Sequence, residues 1–316
     1  MNRSMPRPTV MTRAAYGWQV MQRAAGVVSA RVRLRARASD RRPVPANVMF
    51  GKALVPELRP EQLALARFDL YLYDVMTSER LEGQIVFEYG TLLRSIGSWA
   101  GLRVLDVGTG RSTLPAWMCH AGARVTAFDL STPAEAPIEG FLERVNRLVG
   151  RPAAALRRVA GSMRCLPFAD DRFDLVTSLS VVEHLDTDLP RRTFVPYDEQ
   201  RARLARVLDE MIRVTAPGGQ LYITSECCDF DRAASDRWRQ AYYYDEGPAL
   251  SGAWPVQDVQ PLFYDYLRDR GCSLVGGNRF AAGDIDRADR WSWRGPYFSA
   301  FAVLARKGDE TNGRAR

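Results

Sequence analysis

Two acids and two glycines pose the first chemical question. Asp106 stands two residues before Gly108, Gly110 follows, and Asp129 comes 19 residues after Gly110. Glycines this close let the backbone turn sharply and approach a ligand with no Cβ in the way. An acid about 20 residues further on, at the tip of the next strand, can accept both hydroxyls of a ribose. A dinucleotide site has no need of Asp106, whereas a ligand carrying an ammonium group near the loop does. Ser112 stands where a third glycine is usual and can cap the helix that opens there. A Gly-x-Gly bend alone also fits a dinucleotide site, so the flanking acids carry the argument.

A second constellation is Glu183-His184. The chain has only two histidines, and this one follows a strand end, where open α/β sheets bind ligands. Its ordinary pKa suits general-base work, and Glu183 could face the ligand or orient a partner. The alternative is that the pair only shapes the pocket mouth. His120 falls late on a helix, where a role at the helix dipole is expected. Trp238, Tyr242, Tyr243, Tyr244 and Trp254, with Tyr71 and Tyr73 earlier in the chain, would suit a flat or sugar-like acceptor. Tyr243, Tyr244 and Trp254 are the acceptor-binding candidates, and core or lid packing is the competing reading for all these aromatics.

These residues need a frame. Leu81, Ile85, Tyr89, Leu92, Leu93 and Ile96 fall on one face of a helix over 80–97. Strands are expected at 103–107, 124–129, 156–160, 173–179 and 220–225, alternating with helices at 112–120, 140–148 and 199–214. A helix over 256–270 and strands at 272–275 and 297–305 follow. The alternation predicts an α/β fold, a doubly wound and mainly parallel seven-stranded sheet with helices on both faces.

Five blocks in register then carry a resemblance: Val104–Ser112, Ala127–Asp129, Gly161–Val176, Ser180–Leu185 and Arg213–Thr224. They resemble the ordered motifs of class I S-adenosylmethionine-dependent methyltransferases, of the type found in quinone and natural-product methylation, over about 85–225. The resemblance implies S-adenosyl-L-methionine as cofactor and a Rossmann-like fold. It implies that Asp106, Gly108 and Gly110 hold the methionine part and that Asp129 binds the ribose. Ser162 and Met163 would lie at the adenine, with a serine where an acid is common, and Ser180 would line the methionine end. Pro217-Gly-Gly219 would be the turn into the fifth strand. Leu166-Pro-Phe168 is expected to pack, and Asp170, Asp171 and Asp174 to solvate a turn.

The expected organisation is an Arg-rich arm over 1–50, a methyltransferase domain over 51–308 and a tail over 309–316. Within the domain, 85–225 is the cofactor half and 226–296 the acceptor and lid region. The net charge of +7 sits in the arm, which holds ten Arg and one acid, leaving the remainder at −2. Only two of the 44 basic residues are Lys, a bias that weakens any case for Arg chosen to bind phosphate. A near-neutral body, and Ser178-Leu-Ser-Val in place of the Asn/Asp-Pro-Pro-Tyr loop used on nucleic-acid bases, argue against an RNA substrate. Five Cys without C-x-x-C spacing suggest a reducing, cytoplasmic setting and no metal site. The arm could touch an anionic membrane. The expected partner is a small-molecule acceptor, methylated on oxygen as a secondary metabolite or saccharide, with carbon methylation of a quinone-like or lipid-borne ring as the alternative. A non-catalytic cofactor-binding relative is the remaining reading, and oligomeric state is left open.

Overall fold

The computed structural model describes residues 48–49, 84–110, 112, 114–130, 156–188, 193–228, 253–278 and 298–309. The Arg-rich arm before Val48, the expected helix over 140–148, the aromatics Tyr71, Tyr73, Trp238, Tyr242, Tyr243 and Tyr244, and the tail after Asp309 lie outside the described residues.

The elements in chain order are β1 (Val48–Met49), α1 (Gln84–Ser95), β2 (Arg103–Val107), α2 (Leu114–His120), β3 (Arg124–Asp129), β4 (Leu156–Ala160), β5 (Phe173–Leu179) and a 3-10 turn (Val182–Asp186). A small hairpin of β6 (Thr187–Asp188) and β7 (Thr193–Phe194) follows, then α3 (Tyr197–Val214), β8 (Thr215–Cys228) and β9 (Trp254–Pro255). The chain closes with α4 (Val256–Val259), a wider π turn (Gln260–Asp265), α5 (Tyr266–Asp269), β10 (Cys272–Leu274) and β11 (Phe298–Lys307). The helix expected over 256–270 is thus one rod widened in its middle. Pro261 lies in the widened turn and has no N–H to give to a regular helical ladder.

The main sheet runs β1-β11-β8-β5-β2-β3-β4, with β10 also on β11 and β9 on β8. The five consecutive strands from β8 to the edge strand β4 are parallel, and β11 is antiparallel to β8. Among the described residues the sheet has nine strands where seven were expected. The excess is β1 and β9, two residues each, too short to leave a periodic pattern. Order reverses between β2 and β5: the chain runs outward through β3 and β4, then returns to the other side of β2. Such a switch point opens a crevice at the carboxyl ends of the strands.

Both faces of the sheet are covered, so the inner strands read as near-continuous apolar runs. Alternation splits them. Val104, Val125, Leu175 and Tyr222 pack under α1 and α2 with Phe87, Leu92, Trp117 and Met118. Leu105, Val107, Val176 and Ile223 pack on the other face under α3 and the Val256–Asp269 rod, against Val207, Leu208, Met211 and Phe263. Leu204, Val207, Leu208, Met211 and Val214 are the buried stripe of α3.

Pro217-Gly218-Gly219 forms a bulge rather than a turn ahead of the strand. Thr215 already pairs with Phe173, and pairing resumes at Gln220 with Leu175, which leaves Ala216–Gly219 looped out. A Cβ on Gly219 would stand 2.8 Å from the Ala216 carbonyl oxygen, so the loop closes only around glycine. The acids at 170–174 do more than solvate a turn. Asp174 takes the Arg103 guanidinium at 2.6 Å and the Arg103 amide at 2.8 Å, tying β5 to the start of β2. Asp171, at φ 59°, holds Lys307 at 2.7 Å, and Asp170 holds Arg213. Leu166 and Phe168 pack as expected, with Phe168 edge-on to Phe128 and Phe173.

Candidate active site

The glycine bend lies at the switch point. Gly108 N and Thr109 N both donate to Phe128 O, at 2.7 and 3.1 Å, and Gly110 N donates to Asp129 Oδ2 at 2.7 Å. The bend from β2 is thereby fastened to the tip of β3. Gly108 has φ 78°, and a Cβ there would sit 2.3 Å from a Val181 methyl, so both conformation and contact demand glycine. Gly110, at φ 54°, faces open space. Ser112 does cap: its Oγ accepts from Leu114 N at 3.1 Å and also meets Tyr89 Oη at 2.9 Å.

Asp106 is 3% exposed and enclosed. Thr177 Oγ1 donates to its Oδ1 at 2.6 Å, and Thr109 Oγ1 donates to its Oδ2 at 3.0 Å. Burial pushes its carboxyl up to about 6, against the downward pull of both hydroxyls. Thr177 and Thr109 thus each occupy one acceptor position on the Asp106 carboxylate, which lies buried beneath the bend. Asp129 is half-buried and leaves one carboxylate oxygen beside Gly110.

Gly161 N bonds Asp129 O at 2.8 Å, which sets Ser162 and Met163 next to the β3 tip. Ser162 is spent on its own turn: its Oγ accepts from Arg164 N and its carbonyl from Cys165 N. Met163 packs on the α3-side core. Ser180, at φ 49°, follows β5; its N bonds Thr224 O and its Oγ bonds Glu88 Oε1.

Glu183 and His184 part company on the 3-10 turn. Glu183 is 2% exposed and accepts from Ser225 Oγ at 2.7 Å. Burial, and then the Glu226 and Glu88 carboxylates, hold its pKa well above the usual carboxylate range. The His184 side chain is exposed, yet enough protein surrounds it that desolvation lowers its pKa, opposed by Asp186. Trp254 belongs to the core: it is fully buried, edge-on to Phe263 at 5.6 Å and to Tyr197 at 6.3 Å. The expected acceptor contact at Trp254 is corrected accordingly. Its large apolar ring is better satisfied between α3 and the Val256–Asp269 rod than on a lid.

The bend, the buried Asp106 and Asp129 at the next strand tip thus lie together at the switch point. Comparisons with known proteins give the family. A family model described as "Methyltransferase domain" matches residues 105–223. A demethylmenaquinone methyltransferase from Renibacterium salmoninarum is 32% identical over 213 residues, spanning 67% of this chain and 76% of that protein. The chain belongs to the class I S-adenosylmethionine-dependent methyltransferases. A malonyl-[acyl-carrier protein] O-methyltransferase from Pseudescherichia vulneris is 31% identical, spanning 61% of this chain and 71% of the relative. An uncharacterized protein of Mycobacterium tuberculosis is 34% identical over 140 residues, and there the chain spans only 42% of the relative's length. No helix among the described residues is long and apolar enough to cross a membrane.

Four residues of this methyltransferase escaped the sequence reading: Thr177, Ser225, Glu226 and Glu88. Glu88 left a signal. Its position, three residues after Ile85 and four before Leu92, puts it on the apolar stripe of α1. A carboxylate at a stripe position must be paired or functional.

Proposed function

We propose that this methyltransferase moves the methyl group of S-adenosylmethionine to a small-molecule acceptor seated at the carboxyl ends of β5 and β8. The observation that carries the reading is the bend itself, pinned by Gly110 N to Asp129 and underlaid by buried Asp106. The residues fit the cofactor: Gly108 and Gly110 keep the approach free of side chains, and the outer oxygen of Asp129 is in place for ribose hydroxyls. Ser180 with Glu88 would hold the methionine end, and Ser162 and Met163 would flank the adenine. When bound, the cofactor supplies a methyl group already activated on a sulfonium. The chain's own work is then alignment, exclusion of water and removal of the acceptor's proton. For that proton Glu183 is better placed than His184, because it is buried at the strand ends and carries a raised pKa.

The named relatives act on a demethylated menaquinone and on a malonyl-acyl carrier protein. Oxygen of a metabolite or saccharide is the acceptor expected from the sequence, with a quinone-like ring carbon as the alternative. Either needs a base at the strand ends, and Glu183 supplies one. The test is calorimetric titration with S-adenosylmethionine and S-adenosylhomocysteine, paired with label transfer from methyl-labelled cofactor. Binding of both, weakened at least about tenfold by Asp129→Ala, is the expected result. Unchanged affinity in that variant would remove the ribose assignment.

A further inference from the structure

Residues 161–172 join β4 to β5 with no helix or strand of their own, so their backbone groups need partners from other elements. At the start, Gly161 N bonds Asp129 O at 2.8 Å. The turn over 162–165 closes on itself, Cys165 N to Ser162 O and Arg164 N to Ser162 Oγ. Beyond the turn, two side chains from the last turns of α3 take over. Glu210 Oε2 accepts from Leu166 N at 2.6 Å, Arg213 Nη2 donates to Leu166 O at 3.0 Å, and Arg213 Nη1 donates to Phe168 O at 2.8 Å. The pair is itself bidentate, Arg213 Nε to Glu210 Oε1 at 2.8 Å and Nη2 to Oε2 at 2.9 Å. The Arg213 hydrogen bond also holds the Glu210 carboxyl below its usual range, so the fork stays ionised at neutral pH. At 31% and 20% exposure the ion pair adds little stability as charge alone. What it adds is position: both backbone groups of Leu166 end on it. The same loop reaches the glycine bend through one residue. Phe128 O accepts from Gly108 N and Thr109 N, and its ring meets Phe168 at 5.7 Å and stands 2.9 Å from a Cβ built on Gly161.

We infer that Glu210 and Arg213 are positioning residues for recognition of the cofactor's base: they fix where the Ser162-Met163 turn stands without touching the cofactor themselves. This rests on the methyl-transfer reading and on the adenine lying at that turn. A serine stands at 162 where an acid is common, and its Oγ already accepts from Arg164 N. Reading of the purine edge therefore falls to the backbone of the turn, and a backbone group discriminates only from the correct place. Hydrogen bonds weaken steeply with distance and angle, and a misplacement of about 1 Å can cost about a hundredfold. Asp129 O fixes the near end of the turn and the Glu210-Arg213 fork fixes the far end. Loosening the far end leaves the ribose acid and the glycine bend in place and lets the turn drift from the base.

The test is calorimetric titration of the full chain with S-adenosylhomocysteine and with S-inosylhomocysteine, which keeps the ribose and homocysteine and replaces adenine by hypoxanthine. The parent should prefer the adenosyl compound by at least about tenfold, as a site that hydrogen-bonds a ligand edge rejects the altered one. Glu210→Gln and Arg213→Lys should each bring that ratio to about threefold or less, chiefly by weakening the adenosyl compound. Arg213→Lys keeps the charge but not the fork, and it keeps the test open should Glu210→Gln not fold. Asp129→Ala should weaken both compounds and leave the ratio within about twofold, because the ribose is common to them. A parent that binds the two compounds alike overturns the inference. So do variants that keep the parent's ratio, whether their affinities stay or fall together, since a merely structural tie would act on both compounds equally. If the parent binds neither compound, the methyl-transfer reading falls instead.

Discussion

Replacing Asp106 with Asn separates what this carboxylate costs from what it does. Its pKa is raised from 3.8 to about 6, chiefly by burial. At about 1.4 kcal/mol per unit, the ionised form in the folded chain is disfavoured by about 3 kcal/mol relative to the unfolded chain. The sign follows from proton binding. Between about pH 4 and pH 6 the folded state holds more protons than the unfolded one, so stability falls as pH rises through that window and is level above it. Asparagine fits the same contacts. Its carbonyl oxygen can accept from Thr177, and its amide can donate to Thr109 Oγ1, whose proton remains on the Asp106 backbone carbonyl. Asp106→Asn should therefore raise stability at pH 8, with about 3 kcal/mol as the ceiling, or about 5–10 °C in Tm for a chain of this size. It should not do so at pH 4. Cofactor affinity should move the other way, since a positive ligand loses the charge beneath it: weaker by at least about tenfold at pH 8, and no longer rising with pH through about 6. Calorimetric titration with S-adenosylmethionine across that range, beside thermal melts, reads both. If the variant were less stable than the parent at pH 8, or bound the cofactor as tightly with the same pH profile, Asp106 would be neither strained nor electrostatically coupled to the ligand.

Further tests follow from single contacts. Glu183→Gln should lower kcat by about 10²–10⁴ while cofactor affinity stays within about twofold, whereas exposed His184→Ala should change kcat by less than about threefold; the reverse order would return the base to His184. Gly108→Ala should cost about 2–4 kcal/mol in urea melts, from positive φ plus the Val181 clash, and Val181→Ala in the same chain should recover part of it; strict additivity would deny the contact. Asp174→Asn should cost only about 0.5–1 kcal/mol at neutral pH, since Asp174 and Arg103 are 33% and 39% exposed. The Arg103 hydrogen bond holds the Asp174 pKa down, so that contribution is present above about pH 4 and fades as pH falls through the lowered value; a pH-independent difference between the two chains would refute it.

How much of this was legible depends on how local each constraint is. The bend was legible because glycine at φ 78°, a capping Ser112 and an acid at the next strand tip are all set within one β-α-β unit. The sheet was legible because strands buried on both faces write long apolar runs, and two-residue β1 and β9 were not, because so short a pairing has no period. The acceptor side is built differently. Glu183 and His184 are neighbours in sequence and equally eligible as bases, and only the tight turn decides that Glu183 faces Ser225 while His184 meets solvent. Ser225 and Glu88 lie 42 residues after Glu183 and 92 before Ser180, separations at which no spacing rule operates. Trp254 misled for the same reason: an aromatic beside a Gly/Pro-rich stretch reads as lid, until Tyr197 and Phe263, from two other elements, enclose it. The glycine bend is thus encoded within a single supersecondary unit, whereas the contacts of Glu88 and Glu183 form only where α1, the turn after β5 and the end of β8 meet.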